Sequence, residues 1–256
     1  MKKTNTYLKK TVYALVFIVI VLLVWQVCAL IVNDEYIVPS LYNVCIDMLK
    51  IFYVEQFYSA YFSTLFRAFC GFALSIVVGV GLAFLAVKSE VVRNLCSPLV
   101  SVIRLVPTMA IVALLCLTLS PSLASIVVCC TVVMPYAYSS SLTVLSSVSK
   151  ELLEMAKVYK IPHRRVISGI YLPTVKIPFL TLLGTTFSFS LKITVSAEVV
   201  AGALKSMGGL INLAKNVYLS PSLVCAITVW TVLSGLFIEL VICAVIALIE
   251  RRETQC

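Results

Sequence analysis

The chain has 256 residues, 61% apolar and only 12% charged, with a formal net charge of +9. Soluble domains run at about 45–50% apolar and about 25% charged. A soluble fold of this length cannot cover so much apolar surface, so lipid is the expected solvent, and disorder, coiled coils and an ordinary cytosolic enzyme are excluded. The 20 Lys and Arg outnumber the 11 Asp and Glu, but the excess sits in short segments between apolar runs. It reads as a topology signal and not as a nucleic-acid face. The cysteines lie mostly inside apolar runs without a C-x-x-C pair, and His163 is the single histidine, so they read as small buried apolar residues and not as a metal or disulfide framework.

Charge-free runs place the membrane spans in order. The first covers 11–33, between Lys10 and Asp34, and is too long for a cleaved signal peptide. An amphipathic outer segment, 34–61, follows with Asp34, Glu35, Asp47 and Glu55 among apolar residues. The second span covers 65–87, with Gly71, Gly79 and Gly81 suited to close helix packing. Residues 105–149 carry no charge at all. One straight helix of that length would reach about 68 Å, against a hydrocarbon core of about 30 Å. A turn at Ser120-Pro121-Ser122 therefore divides it, giving spans 100–119 and 122–148. The fifth and sixth spans cover 173–200 and 222–249. The chain thus reads as one all-α transmembrane domain, 1–256, of about six helices.

An even number of spans puts both ends on one side. That side holds Lys2, Lys3, Lys9, Lys10, Lys88, Arg93, Arg104, Lys150, Lys157, Lys160, Arg164, Arg165, Arg251 and Arg252, against Lys50, Lys205 and Lys215 opposite. The positive-inside bias places both termini in the cytoplasm.

The segment before the fifth span, KELLEMAKVYKIPHRRVISGIYLP, opens as a helix with Leu152, Leu153, Ala156 and Tyr159 at helical spacing and Glu154–Lys157 as an i, i+3 pair. Ile161-Pro162 ends it. Such a helix either docks on a protein surface or lies on lipid headgroups. Within the spans, Pro107 and Pro135 act as hinges or as static bends. Lys192 either offers charge to an anionic solute or pairs across helices. Glu198 sets packing or gate geometry, and Glu239 is a partner for Lys192 or Arg67. The serine clusters 139–141 and 146–147 have no histidine base within a span, so a membrane hydrolase is disfavoured.

The spacing of Glu154, Ala156, Ile170, Leu172 and Pro173 resembles the EAA loop of bacterial ABC importer permeases, EAA-x3-G-x9-I-x-LP. Met155 replaces the second motif residue and Lys160 stands at the glycine; Pro162 is expected to supply the break instead. Further segments resemble the nitrate/sulfonate/taurine-like branch, in order: VPSLYNV at 38–44, Leu65 to Phe72 around Arg67 and Gly71, Arg104 with Pro107, Met134-Pro135, Ser196-Ala197-Glu198, and Gly208-Gly209. The resemblance implies a type I, binding-protein-dependent importer permease of the bacterial inner membrane, whose coupling loop, 150–172, meets an ATPase. Its contact residues would be Glu154, Met155, Ala156, Tyr159, Lys160, Ile161, Pro162, Ile170, Leu172 and Pro173. Arg104, Pro107, Pro135, Lys192 and Glu198 would belong to the translocation pathway.

The implied partners are a second permease copy, two cytoplasmic ABC ATPases, an extracytoplasmic binding protein and the bilayer, with no nucleic acid. The implied solute is a sulfonate-, nitrate- or taurine-like anion, or a vitamin precursor such as a pyrimidine or riboflavin. The chain has no G-x-x-x-x-G-K-[ST] cradle. It is therefore expected to bind no cofactor, with ATP and Mg used by the partner ATPase. The competing expectation is an ion-coupled secondary transporter using Glu198 and Glu239.

Overall fold

The computed structural model describes residues 2–253 and is helical throughout, with no strand among the described residues. Among the described residues, five helices are long and apolar enough to cross a membrane, and a sharply bent pair makes a sixth when taken as one span. The order is α1 (Lys2–Val32), α2 (Leu41–Lys50), α3 (Glu55–Lys88), α4 (Glu90–Leu105), α5 (Thr108–Cys116), α6 (Pro121–Ser146), α7 (Lys150–Val158), α8 (His163–Val166), a π-helical turn (Ile167–Tyr171), α9 (Leu172–Ala201), α10 (Met207–Asn216) and α11 (Pro221–Glu253). Of the basic residues that argue for orientation, the side chains of Lys2, Lys3, Lys9, Lys10, Lys150, Arg251 and Arg252 lie outside the described residues, as does that of His163.

One compact unit comprises Met1–Tyr58 and Leu210–Trp230. In it the described side chains of α1, from Val12 onward, are almost all exposed, as suits a helix surrounded by lipid. Its end is pinned to the following turn: Trp25 Nε1 donates to Pro39 O at 3.0 Å, and Leu41 N–H donates to Gln26 Oε1 at 3.2 Å. Ser40 caps α2 by accepting from Asn43 N–H. The Phe52 ring meets Trp230 edge-on at 4.6 Å, while Trp230 Nε1 donates to Met48 O.

The other unit comprises Ser59–Gly209 and Thr231–Cys256. Its centre is α6, which packs along α9 and α3. Small residues permit close approach here. A Cβ at Gly71 of α3 would lie 2.7 Å from Cys129 of α6, and one at Gly79 would lie 2.8 Å from the Ala137 Cβ. Gly81, expected to act in the same way, faces open space. Gly184 of α9 similarly meets Ile242 of α11.

The segment 100–119 is two helices and not one straight span: α4 and α5 meet at 84°. Val106 and Pro107 between them are extended, with ψ of 125° and 124°. Proline disfavours the helical region for the residue before it, which stops α4 at Leu105. Pro107 is thus the N-cap of α5 and not a kink inside a helix, whereas Pro135 lies inside α6 and is buried. α6 starts with Ser120 as N-cap and Pro121 at its first turn, where a missing N–H leaves nothing unsatisfied.

Candidate coupling helix and intramembrane charge network

α7 is short, and both its ends are closed by hydrogen bonds. Ser149 Oγ accepts from Leu152 N–H at 3.3 Å at the start. At the end, Ile161 N–H donates to Ala156 O at 2.9 Å and Lys160 N–H to Lys157 O at 3.1 Å. This 6→1 and 5→2 pair is a Schellman turn, and it requires a left-handed residue between helix and exit. Lys160 takes that role at φ 50°. The position where the resembled motif carries glycine therefore keeps the glycine geometry with a lysine in it. The helix ends through this turn, before Pro162 is reached.

α7 has two apolar arcs. Ala156 is 4% exposed and faces its own loop with half-buried Leu153; with Lys157, Lys160, Ile161, Val166 and Tyr171 they line a cavity of about 450 Å³. Leu152, Met155 (54% exposed), Val158 and Tyr159 (74% exposed) point outward. The expected stripe of Leu152, Leu153, Ala156 and Tyr159 is thus split, and Met155, the departure from the motif, lies on the outward row. Glu154 is exposed and forms no ion pair with Lys157. Ile161, Pro162, Leu172 and Pro173 are exposed, while Ile170 is half-buried in the π-helical turn that leads into α9.

A second cluster joins α3, α9 and α10. Glu198 is 0% exposed. Its carboxylate accepts from Arg67 Nη1 at 2.9 Å, from Thr64 Oγ1 at 2.8 Å and from Gly208 N–H at 3.3 Å. Thr64 Oγ1 in turn accepts from Met207 N–H at 2.9 Å. The N-terminal end of α10, with its free N–H groups and positive dipole end, thereby faces the buried acid. Ser206 Oγ accepts from Gly209 N–H, and left-handed Gly202 and Lys205 make the reversal between α9 and α10. Three sequence segments, around Arg67, Glu198 and Gly208, therefore converge on one carboxylate. Arg67 pairs with Glu198 and not with Glu239, and Glu198 lies in a protein core.

Arg104, at the end of α4, donates from Nη2 to Pro135 O at 2.9 Å and also to Ser139 Oγ. It ties the α4–α5 bend to α6, so two of the five expected pathway residues meet. Lys192 is exposed on α9 and has no ion-pair partner among the described residues. Glu239 is half-buried on α11 and likewise forms no ion pair there. No cluster of His, Cys, Asp and Glu among the described residues can hold a metal ion.

The geometry has counterparts among known proteins. One solved chain, from inward-facing conformations of the MetNI methionine ABC transporter, superposes with TM-score 0.63 at 13% identity, covering 76% of this chain and 96% of that one. A chain of an amino acid ABC transporter with histidines gives TM-score 0.63 at 17% identity, with 81% and 97% covered. These likenesses establish the type I ABC permease fold. No curated protein matches the chain by sequence. The family model described as binding-protein-dependent transport system inner membrane component matches residues 75–254. With that match spanning most of the sequence and the fold in agreement, the chain belongs to the inner-membrane components of binding-protein-dependent transport systems, a multi-pass membrane subunit of the ABC importer permease type.

Proposed function

We propose that the chain forms the translocation pathway of an ATP-driven importer for a small solute, either a sulfonate-, nitrate- or taurine-like anion or a vitamin precursor such as a pyrimidine or riboflavin. Two copies line one pathway, with both termini in the cytoplasm. Two ABC ATPases, which use the ATP and Mg, grip α7 from below, and an extracytoplasmic binding protein delivers solute from above. The observation that carries this reading is the outward apolar row Leu152, Met155 and Tyr159 on a helix closed at both ends. A rigid capped rod with an unpartnered apolar face fits a groove in another subunit. Closure of the ATPase pair would push α7, and the push would pass through the π-helical turn into α9. Rigid-body switching of packed helices then alternates access.

The experiment is site-directed crosslinking from Met155→Cys or Tyr159→Cys to the ATPase expressed with this chain, combined with uptake in vesicles. Crosslinks at both positions and uptake that needs ATP are expected. Crosslinks absent at both positions, with the labels buried in headgroups, would overturn the reading. An ion-coupled secondary transporter is the weaker alternative. Glu198, one of its two acids, is already neutralised by Arg67.

A further inference from the structure

The most unusual face of the molecule is on α9. Thr174, Thr181, Thr185, Lys192 and Ser196 are all exposed. At about 100° per residue they fall within an arc of about 60°. With exposed Pro178 between Thr174 and Thr181, they form a polar stripe along a membrane-spanning helix. The opposite side of α9 is packed: Thr186, Ser190, Thr194, Ala197 and Glu198 are buried. The hydroxyls satisfy their own donors on the helix, Thr181 Oγ1 to Ile177 O at 3.1 Å and Ser196 Oγ to Lys192 O at 3.0 Å. Hydroxyls bonded in this way are tolerated against lipid. An ammonium has no such recourse. Lys192 lies nine residues, about 13 Å of helix rise, before the end of α9 at Ala201, further than its side chain extends. No partner neutralises it among the described residues.

The remaining charges sharpen the sign. In the apolar parts of α3, α9 and α11 stand Arg67, Lys192, Glu198 and Glu239, besides Lys176, which has an interaction of its own near the start of α9. Arg67 and Glu198 cancel in their buried pair. Lys192 is then left without an ion-pair partner among the described residues. A low-dielectric wall around such a charge focuses a positive potential into whatever water it encloses.

We propose that this stripe of α9 lines the aqueous pathway and that Lys192 makes the pathway selective for anions, so that the transported solute carries a carboxylate, sulfonate or comparable negative group at the height of Lys192. This rests on the permease reading above and narrows its solute to the anionic class. Ser196 and Thr185, one turn above and two turns below Lys192, would meet the solute just before and after it.

The test needs no knowledge of the solute. Ser196→Cys and Thr185→Cys are made in the full chain, reconstituted in vesicles, and treated with sulfonatoethyl methanethiosulfonate, which is anionic, or its trimethylammonioethyl counterpart, which is cationic. Labelling is read at the introduced residue by peptide mass, with rates scaled to the reagents' reactivity toward a free thiol. The anionic reagent is expected to react about tenfold faster or more. Lys192→Met should bring the two rates to near parity, and Lys192→Arg should keep the preference. No labelling by either reagent means that the stripe faces lipid or protein and overturns the proposal. Labelling with the preference unchanged in Lys192→Met overturns the role of Lys192. Neither result touches the α7 crosslinks, so failure here is separable from failure of the permease reading.

Discussion

Gly208 stands so close to Glu198 that a Cβ at this glycine would lie 2.4 Å from the glutamate's own Cβ. The α10 N-terminus can donate to the carboxylate only because no side chain intervenes. Gly208→Ala must push α10 away from α9, breaking the 3.3 Å bond from Gly208 N–H and straining that from Met207 to Thr64. Forced overpacking of this kind costs about 1–3 kcal/mol. The expected outcome is a lower unfolding temperature of the purified chain in detergent. A control at Gly81, which faces open space, should change little.

The Arg67–Glu198 pair should be asymmetric to mutation. Arg67→Met leaves a buried carboxylate with only neutral donors, and losing one partner of a buried pair costs about 3–5 kcal/mol. Glu198→Gln leaves a buried guanidinium facing an amide. The double variant Arg67→Met with Glu198→Gln removes both charges and keeps the shape. It should be more stable than either single variant. Denaturation of the four proteins gives the coupling energy, and additivity of the single effects would mean that the pair is not a unit.

Lys160 carries the left-handed turn at φ 50° with a Cβ that disfavours it. A residue with a Cβ costs about 1–2 kcal/mol in that conformation, and glycine relieves it. Lys160→Gly should therefore raise the stability of the loop, read as slower proteolysis between Tyr159 and Arg164. Lys160→Val, β-branched, should do the opposite. Equal protease sensitivity in all three proteins would contradict the strain.

What was readable before the structure, and what was not, follows from the range of the forces involved. Helix existence and breaks depend on neighbours, so the all-α class and the turn at Pro121 lie open in the local sequence, whereas Pro107, read as a bend inside one span, in fact separates two helices. The Arg67–Glu198 pair joins residues 131 apart. It depends on how α3 and α9 rotate about their axes, which hydropathy does not report. Its three motif segments were visible one by one, but order along a chain is not proximity. The faces of α7 failed for a similar reason. Leu152, Leu153, Ala156 and Tyr159 are apolar at helical spacing, yet the helix has two apolar arcs and only packing tells which one its own loop claims. The bonds to Glu198 from Thr64, Met207 and Gly208 had one usable signal, a lone acid in an apolar span, since such a charge must be compensated.

The two arcs of α7 give the last prediction. Ala156 is buried against its own loop, and Met155 beside it points away. If the outward row is the surface gripped by an ATPase, damage to the two arcs should differ in kind. Ala156→Leu adds bulk to a packed site and should destabilise the loop itself, with faster proteolysis and less folded protein. Met155→Glu places a charge on an exposed position, where substitutions usually change stability by about 0.5 kcal/mol or less. The chain should then purify and unfold as before while ATP-driven uptake falls, because an unpaired carboxylate is carried into an apolar groove. Met155→Leu should restore uptake, since it keeps volume and polarity. A Met155→Glu protein that folds and transports normally would show that the outward row has no partner, and the exposed face of α7 would then need another explanation.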